Sequence, residues 1–282
     1  MPFWKKAMLV LLGTAAVFIW SVALEGQRDG LLKVYFLDVG QGDAIFIETP
    51  SGNQMLIDGG PTDMILSRLG DVMPYYDTSI DIVALTHPQD DHLTGLIPVL
   101  KKYDVEMFIH PGAVGTSASY RELERVMGGL DMKNVEAAAG MRIHLDDEVY
   151  MDIYAPYEKG RESDNLNEIM LIGKLHFRDA SLILTGDAEK IDEINLASSN
   201  ADLESDVLKV SHHGSKNSST ALFLERVSPQ LAIISSGVNR YGHPHADAIE
   251  RLRAAGAEVR RTDQEGTITL VSDGNAFLVV RQ

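Results

Sequence analysis

The chain has 282 residues, of which 45% are hydrophobic and 23% charged, a balance that suits a globular protein and excludes a disordered one. Its 25 basic and 41 acidic residues give a formal charge of −16, which disfavours loose binding of polyanions. A phosphodiester substrate would therefore need bound cations or a local basic rim. Because the chain contains no cysteine, disulfides, thiolate nucleophiles and Cys-ligated zinc are excluded.

An uncharged apolar stretch, residues 7–24, follows Lys5 and Lys6 near the amino terminus. As a helix it would be about 27 Å long, close to the thickness of the hydrocarbon core of a membrane. We expect either a single-pass membrane anchor or a signal peptide cleaved near residues 21–23, with the two lysines cytoplasmic and the rest exported. We therefore divide the chain into an anchor or signal segment, 1–29, and one globular domain, 30–282.

Short apolar runs broken by Gly, Pro, Asn and Asp predict a series of strands and helices after residue 30. The predicted strands are 34–37, 44–47, 55–57, 80–86, 105–109, 148–154, 170–177, 182–185, 207–211 and 231–235, with more strands in 258–280. The predicted helices are 62–69, 93–102, 119–127, 191–197, 220–227 and 246–255. This order fits one α/β domain with two sheets between helical layers.

Histidine and aspartate residues are concentrated where the predicted buried strands end. Six of the nine histidines lie there: His87, His92, His212, His213, His243 and His245. Asp91 and Asp187 stand in the same loops. Sites are built on such loops, and imidazole and carboxylate groups from several loops are the ligands that Zn²⁺ or Mn²⁺ requires. The pattern predicts a metal site, although one such histidine alone would more often be structural.

Six motifs in these stretches occur in a fixed order along the chain. They are FLDVGQGDA (36–44), LIDGG (56–60), LTHPQDDHLTGL (85–96), LTGDAE (184–189), VLKVSHHGS (207–215) and NRYGHPH (239–245). Together they resemble the hydrolase domain of ComEC-type DNA-uptake (competence) proteins, from about Leu31 to the carboxyl end. The resemblance implies a metallo-β-lactamase fold, an αββα four-layer sandwich, preceded here by one transmembrane or signal helix. We expect a stand-alone relative of that domain.

The resemblance also implies a set of metal ligands. The family's metal loop reads His-x-(His or Asp)-x-Asp-His, which His87, Asp91 and His92 match. Asp187 fits a bridging ligand, and the last ligand is His212 or His213. We prefer His212, because alternation along a strand would place it on the face shared by Leu208 and Val210.

A second metal is expected to bind weakly, if at all. Gln89 stands where the family has a His or Asp, and a neutral amide oxygen is a poorer ligand than either group. Asp90 would replace it only if the loop bends. No later histidine matches the family's remaining ligand, since the corresponding stretch, 164–168, offers only amides and carboxylates. We therefore expect one tight metal and a conditional second one.

Other residues are assigned to catalysis and substrate binding on the same resemblance. Asp91 is expected to orient the attacking water as well as to ligate, and Asp58 to orient the metal loop from behind. Ser215, Lys216, Arg240 and His243 would line the far side and hold a phosphate. Of these, Lys216 and His243 are also candidate catalytic groups.

The expected function is a metal-dependent hydrolase, a phosphodiesterase or nuclease acting on DNA outside the cytoplasm, with single-stranded DNA and a DNA-uptake channel protein as partners. One alternative is a small-ester or lactone hydrolase of the same fold. Another is a non-catalytic surface module that binds DNA or a partner, which Gln89 favours.

Overall fold

The computed structural model describes residues 2–25, 30–157 and 169–280. The stretch 164–168 lies outside the described residues. The helix α1 (Phe3–Glu25) contains a segment, Phe3–Trp20, that is long and apolar enough to cross a membrane and is not buried against the rest of the protein. The predicted apolar amino-terminal helix is thus confirmed. A membrane anchor and a signal sequence both fit it, and the domain boundary near residue 30 stays a prediction.

The first sheet has eight strands. They are β1 (Leu32–Phe36), β2 (Ile45–Glu48), β3 (Gln54–Ile57), β4 (Ser79–Ala84), β5 (Asp104–His110), β6 (Lys133–Glu136), β14 (Ile268–Ser272) and β15 (Phe277–Val280). Their order across the sheet is β15-β14-β1-β2-β3-β4-β5-β6. Strands β3 to β6 run parallel, so their carboxyl ends meet at one edge of the sheet.

The second sheet has seven strands. They are β7 (Arg142–His144), β8 (Val149–Ala155), β9 (Ile172–Phe177), β10 (Ala180–Leu184), β11 (Val207–Lys209), β12 (Leu231–Ile234) and β13 (Glu258–Arg261). Their order is β13-β12-β11-β10-β9-β8-β7. Strands β10 to β13 are parallel, and the loops that follow them are collected at one edge as well.

Helices cover the outer face of each sheet. Those on the first sheet are α2 (Met64–Val72), α3 (Asp90–Leu93), α4 (Leu96–Lys102) and α5 (Ala118–Met127). Those on the second are α6 (Lys190–Ser198), α7 (Ala221–Val227) and α8 (Ala246–Ala254), while the short α9 (Thr262–Glu265) follows β13. A third apolar cluster, which includes Val34, Ile47, Leu175 and Leu182, fills the space between the sheets. The predicted four-layer αββα sandwich is confirmed.

Two departures from the predicted elements affect the site. The helix predicted over 93–102 is divided between Leu93 and Leu96, where the Gly95 N–H donates to the Gly60 carbonyl. A side chain on Gly95 would collide with the backbone of Gly59, so the close approach requires glycine. The strand predicted over 207–211 ends at Lys209, and the chain enters a 3-10 turn, Ser211–Gly214, in which His212 and His213 both have positive φ. Strand alternation therefore does not reach His212, and the reason for preferring it over His213 was wrong.

The edge strands β6 and β7 were not predicted. Residues of β6 are exposed or half-buried, and β7 contains one buried side chain, Ile143. Such short strands carry little apolar periodicity, so the pattern on which the prediction depends is nearly absent.

Candidate metal centre

Loops from both sheets meet around one buried carboxylate, that of Asp187. His87 and His92 lie in the loop and helix that follow β4, Asp187 follows β10, and His213 lies in the turn after β11. All four side chains are almost completely buried. Residues separated by more than a hundred positions in the sequence are thus brought together at the carboxyl ends of parallel strands.

One oxygen of Asp187 faces a cluster that we call the buried site: Asp91, His92, His213 and Asp187 Oδ1. The Oδ1 atom lies 3.5 Å from His92 Nε2 and 3.5 Å from His213 Nε2. Asp91 Oδ2 lies 3.5 Å from His213 Nε2, and Asp91 Oδ1 lies 4.0 Å from His92 Nε2. Ligand atoms about 2 Å from a tetrahedral ion are roughly 3.3 Å apart, so this spacing fits one first-row divalent metal.

The other oxygen of Asp187 faces what we call the open site: His87, His212 and Asp187 Oδ2. The distances from Oδ2 are 3.6 Å to His212 Nε2 and 3.9 Å to His87 Nε2. His212 retains 24% of its side-chain exposure, whereas His213 retains 2%. Asp187 therefore lies between an enclosed group of ligand atoms and an accessible pair of histidines. Among the described residues, the ligand atoms of His87, His92 and Asp187 all lie within 4.8 Å of one another, as do those of Asp91, His92 and His213, whereas His212 belongs to no such set.

Three of the imidazoles are oriented by a hydrogen bond at Nδ1. Ser235 carbonyl oxygen accepts from His213 Nδ1 at 3.0 Å, which fixes the proton on Nδ1 because a carbonyl can only accept. His92 Nδ1 is 2.7 Å from Asp58 Oδ2, and His87 Nδ1 is 3.0 Å from Thr86 Oγ1. With Nδ1 protonated, each Nε2 presents a lone pair to the site, which is the arrangement of metal-bound histidines.

Asp58 stands behind this arrangement and is fully buried. Its carboxylate accepts from Thr86 N at 2.8 Å and from Thr86 Oγ1 at 2.6 Å, in addition to His92. Because the hydroxyl proton of Thr86 is used on Asp58, its oxygen is available to accept from His87. Asp58 thus contacts His92, and the orienting role predicted for it stays a prediction.

The atoms that face the site lack hydrogen-bond partners within the described part of the chain. These buried atoms are Asp187 Oδ1 and the Nε2 atoms of His87, His92 and His213. Leaving a buried polar atom unsatisfied costs about 1–3 kcal/mol, and a folded protein contains few such groups. Four converging orphan acceptors fit a bound cation, so the residues present suit a metal.

The electrostatics of the buried groups show which charge the site favours. Burial and the neighbouring His92 lower the pKa of His87 to about 3, which leaves its imidazole neutral. Burial alone would raise the pKa of Asp187, but His213 and His92 hold it well below its usual value. Burial alone would likewise lower the pKa of His92, but the carboxylates of Asp187 and Asp58 raise it. Those carboxylates favour positive charge at the site.

A buried ion pair next to the site was not predicted. Asp43 and Lys209 are both buried, and Asp43 Oδ2 lies 2.5 Å from Lys209 Nζ. The other oxygen, Asp43 Oδ1, lies 3.6 Å from His213 Nδ1. The sequence did carry a signal, since Lys209 interrupts the apolar strand VLKV and a lysine in a buried strand needs a partner.

The residues predicted to bind substrate are placed differently from one another. The ring of His243 lies 5.3 Å from that of His212, and Ser215 is buried just after the turn. Arg240, three residues before His243, is exposed. Lys216 is directed to Asp247, with 3.9 Å between Nζ and Oδ2, so its side chain points at a surface partner in this structure. The catalytic and substrate-binding roles of all four residues stay predictions.

The structure shows where the metal loop places Gln89 and Asp90. Asp90 Oδ1 accepts from Ser117 Oγ at 2.7 Å on an exposed surface, so the loop does not bend to bring Asp90 inward. Gln89 is half-buried directly before α3. His212, by contrast, lies beside the open site, where no later histidine had been identified.

The fold is found among solved structures. The chain matches the metallo-β-lactamase fold protein YhfI of Bacillus subtilis with a TM-score of 0.57 and 11% identity, over 86% of this chain and 100% of that one. It also matches the diiron β-hydroxylase CmlA of Streptomyces venezuelae (TM-score 0.55, 14% identity, 85% of this chain and 54% of that one) and Zn²⁺-bound PqqB of Methylobacterium extorquens (0.52, 12%, 80% and 87%). The protein therefore has the metallo-β-lactamase fold, as its motifs implied, and its neighbours include metal-containing proteins.

The relatives in sequence are competence proteins. The chain is 31% identical over 256 residues to ComE operon protein 3 of Bacillus subtilis (strain 168), covering 84% of this chain and 32% of that protein. It is 30% identical over 245 residues to Recombination protein 2 of Haemophilus influenzae, covering 84% and 28%. No family model matches the chain. The resemblance to ComEC-type proteins is confirmed, and the chain spans about a third of the length of the curated relatives it matches.

Proposed function

We propose that the protein is a metal-dependent phosphodiesterase that cleaves DNA outside the cytoplasm. The observation that carries the proposal is the set of four buried acceptors, Asp187 Oδ1 and three imidazole Nε2 atoms, which converge with no hydrogen-bond partner among the described residues. Their chemistry suits Zn²⁺ or Mn²⁺. Hydrolysis is favoured over a passive metal site because Asp91 is less enclosed than the ligands around it, at 29% side-chain exposure.

We assign separate tasks to the residues of the two sites. The buried site would hold the tighter ion, and the open site a weaker one, because Gln89 supplies an amide at best and His212 is partly exposed. A bound divalent ion supplies Lewis acidity and makes a water molecule more acidic. Asp91, whose side chain is partly exposed, would orient the attacking water, while Asp58 would keep His92 in the tautomer that ligates.

The choice of a phosphodiester is supported by the relatives and by local charge. The matched proteins are named for competence and recombination. Arg240 is exposed in the same loop as His243, three residues before it, and a guanidinium in this loop suits phosphate oxygens. The overall charge of −16 opposes polyanion binding, so we expect DNA to bind at the metal centre and its rim rather than across the surface.

Location and partners belong to the same proposal. We propose that α1 anchors the protein in the membrane with Lys5 and Lys6 on the cytoplasmic side, and that the catalytic domain works beside a DNA-uptake channel protein. Protease added to intact cells or spheroplasts should then degrade the domain. Full protection from protease would refute this orientation.

The central experiment compares substrates and metals on one preparation. The full-length chain, stripped with chelator, is reloaded with Mn²⁺ or Zn²⁺ and assayed on single-stranded DNA, a lactone and a phosphocholine-type ester. We expect metal retention by elemental analysis and cleavage of DNA above the other two. Preferential cleavage of a lactone or ester would identify a small-substrate hydrolase instead. Retention of no divalent metal would leave a non-catalytic DNA-binding or partner-binding module.

A further inference from the structure

The loop 237–245, which we call the rim loop, presents large side chains to solvent beside the open site. Tyr241 is 74% exposed, and Val238 is completely exposed. A single exposed tyrosine has no functional meaning by itself. Its significance depends on how firmly the loop is held and on what lies next to the ring.

Asn239 fixes the rim loop from inside. Its Nδ2 donates to the carbonyls of Gly237 and His243, at 2.9 and 2.6 Å. Its Oδ1 accepts from the backbone N–H groups of Tyr241 and His243, at 3.0 and 3.1 Å. Because the amide hydrogen-bonds to the backbone on either side of Tyr241, it fixes the backbone position from which that ring projects. A loop whose backbone is already fixed loses less entropy when it binds a ligand.

A row of rings connects Tyr241 to the metal centre. The Tyr241 and His243 ring centroids are 5.8 Å apart with planes inclined by 33°, and the His243 and His212 centroids are 5.3 Å apart and nearly perpendicular. His212 Nε2 is in turn 3.6 Å from Asp187 Oδ2. The exposed phenol ring therefore lies at the outer end of a row of rings whose inner end is next to Asp187.

Charge next to the ring indicates which kind of ligand it meets. Arg240 precedes Tyr241 and is exposed, and no ion pair joins its guanidinium to any residue that the structure describes. Proteins that bind single strands combine exposed aromatic rings, on which bases stack, with exposed cations that meet the phosphates, and Arg240 and Tyr241 supply one of each at adjacent positions of the chain. In a duplex the faces of the bases are already stacked, so such a platform selects against duplex substrate.

We propose that Tyr241 stacks on a base of single-stranded nucleic acid and that Arg240 contacts its backbone, which places a neighbouring phosphodiester at the metal centre. The inference rests on the proposed phosphodiesterase function and adds to it a requirement for unpaired bases. Tyr241 is thus a specificity-determining residue.

The test uses the full-length chain in detergent and two fluorescein-labelled oligomers of equal length. One is oligo(dT), and the other carries the same phosphates on abasic sugars. Binding is followed by anisotropy on the protein as purified, and cleavage is followed after Mn²⁺ is added. The variants are Tyr241→Leu, Tyr241→Trp and Tyr75→Leu. Tyr75 is a matched control, because it is 73% exposed and lies before β4, at the end opposite its metal loop.

We expect Tyr241→Leu to weaken binding of oligo(dT) about tenfold, within the range that stacking on one side chain contributes. Binding of the abasic oligomer should not change, Tyr241→Trp should restore oligo(dT) binding, and Tyr75→Leu should have no effect. Equal affinities of wild type for the two oligomers, or an unchanged affinity in Tyr241→Leu, would overturn the stacking role even if DNA is cleaved. Base-dependent binding without cleavage would refute the phosphodiesterase and leave the stacking site standing.

Discussion

The two sides of Asp187 differ in how their ligands are supported. In the buried site, His92 and His213 are both enclosed, and each is held at Nδ1 by a buried oxygen, from Asp58 or the Ser235 carbonyl. In the open site, His87 is held by Thr86, but His212 is partly exposed, and its Nδ1 lies 4.0 Å from the exposed carboxylate of Glu189. The histidines on one side of Asp187 are thus both held by buried oxygens, whereas on the other side only His87 is held in this way.

The difference predicts that a single carboxylate gives two metal sites of unequal affinity. Partners behind a ligand typically change metal affinity about 10- to 100-fold, because they fix the tautomer and the orientation of the ring. The buried site has such support on both imidazoles and a carboxylate, Asp91, as its fourth ligand. We expect the order of affinity to follow the order of support.

Removal of the shared carboxylate should have the largest effect. In Asp187→Ala, both sites lose the ligand that joins them, so metal content should fall to near zero and hydrolysis by more than about 10³-fold, since the metal contributes several kcal/mol to the reaction. Elemental analysis and a DNA cleavage assay measure the two losses. Asp131→Ala, at an exposed aspartate, is the control and should retain both. Metal retained in folded Asp187→Ala would contradict a bridging role.

Substitution of the adjacent residues His212 and His213 should distinguish the two metal sites. His213→Ala should remove the tightly held metal and nearly all activity, because His213 Nε2 faces both carboxylates of the buried site. His212→Ala should leave the tight metal in place and reduce only the metal that is added at higher concentration. Titration of each variant with Mn²⁺, followed by elemental analysis, measures both classes. The reverse result would restore His212 as the ligand of the tight site.

Weakening the hydrogen bond between Asp58 and His92 should have an intermediate effect on metal affinity. Asp58→Asn keeps the size of the side chain but weakens the acceptor that fixes His92, so affinity at the buried site should fall about 10- to 100-fold. Stoichiometry at saturating metal should stay the same. Competition with a chromophoric chelator measures the affinity. An affinity equal to that of wild type would mean that the hydrogen bond to His92 does not tune the metal.

The sequence predicted the site residues that follow regular strands but not the orientation of those in an irregular turn. Strand alternation and turn residues predicted most core strands, and the clusters at strand ends led to His87, His92 and Asp187. Strand alternation failed at His212 and His213, because both residues have positive φ in the turn Ser211–Gly214. Alternation along the strand therefore does not determine which side each ring faces. Asp43 and Lys209 were missed because their pairing joins residues far apart in sequence.

A substitution at Gln89 tests most directly why the open site should bind metal more weakly than the buried site. An amide at this position leaves the open site with His87, His212 and one oxygen of Asp187 as its ligating groups among the described residues. In Gln89→Asp, a carboxylate adds charge next to neutral His87 and should strengthen the second metal about tenfold, with little change at the buried site.

Metal titration of wild type and Gln89→Asp measures that gain directly. Asp90→Asn is the matched control from the same loop and should leave both affinities unchanged, because its carboxylate is bound to Ser117 on the exterior. A second metal that binds Gln89→Asp no better than wild type would show that the support of His212, rather than the identity of residue 89, limits the open site. The variant His212→Ala would then abolish the residual second metal in both backgrounds, because the ring and not the amide would be the ligand on which that ion depends.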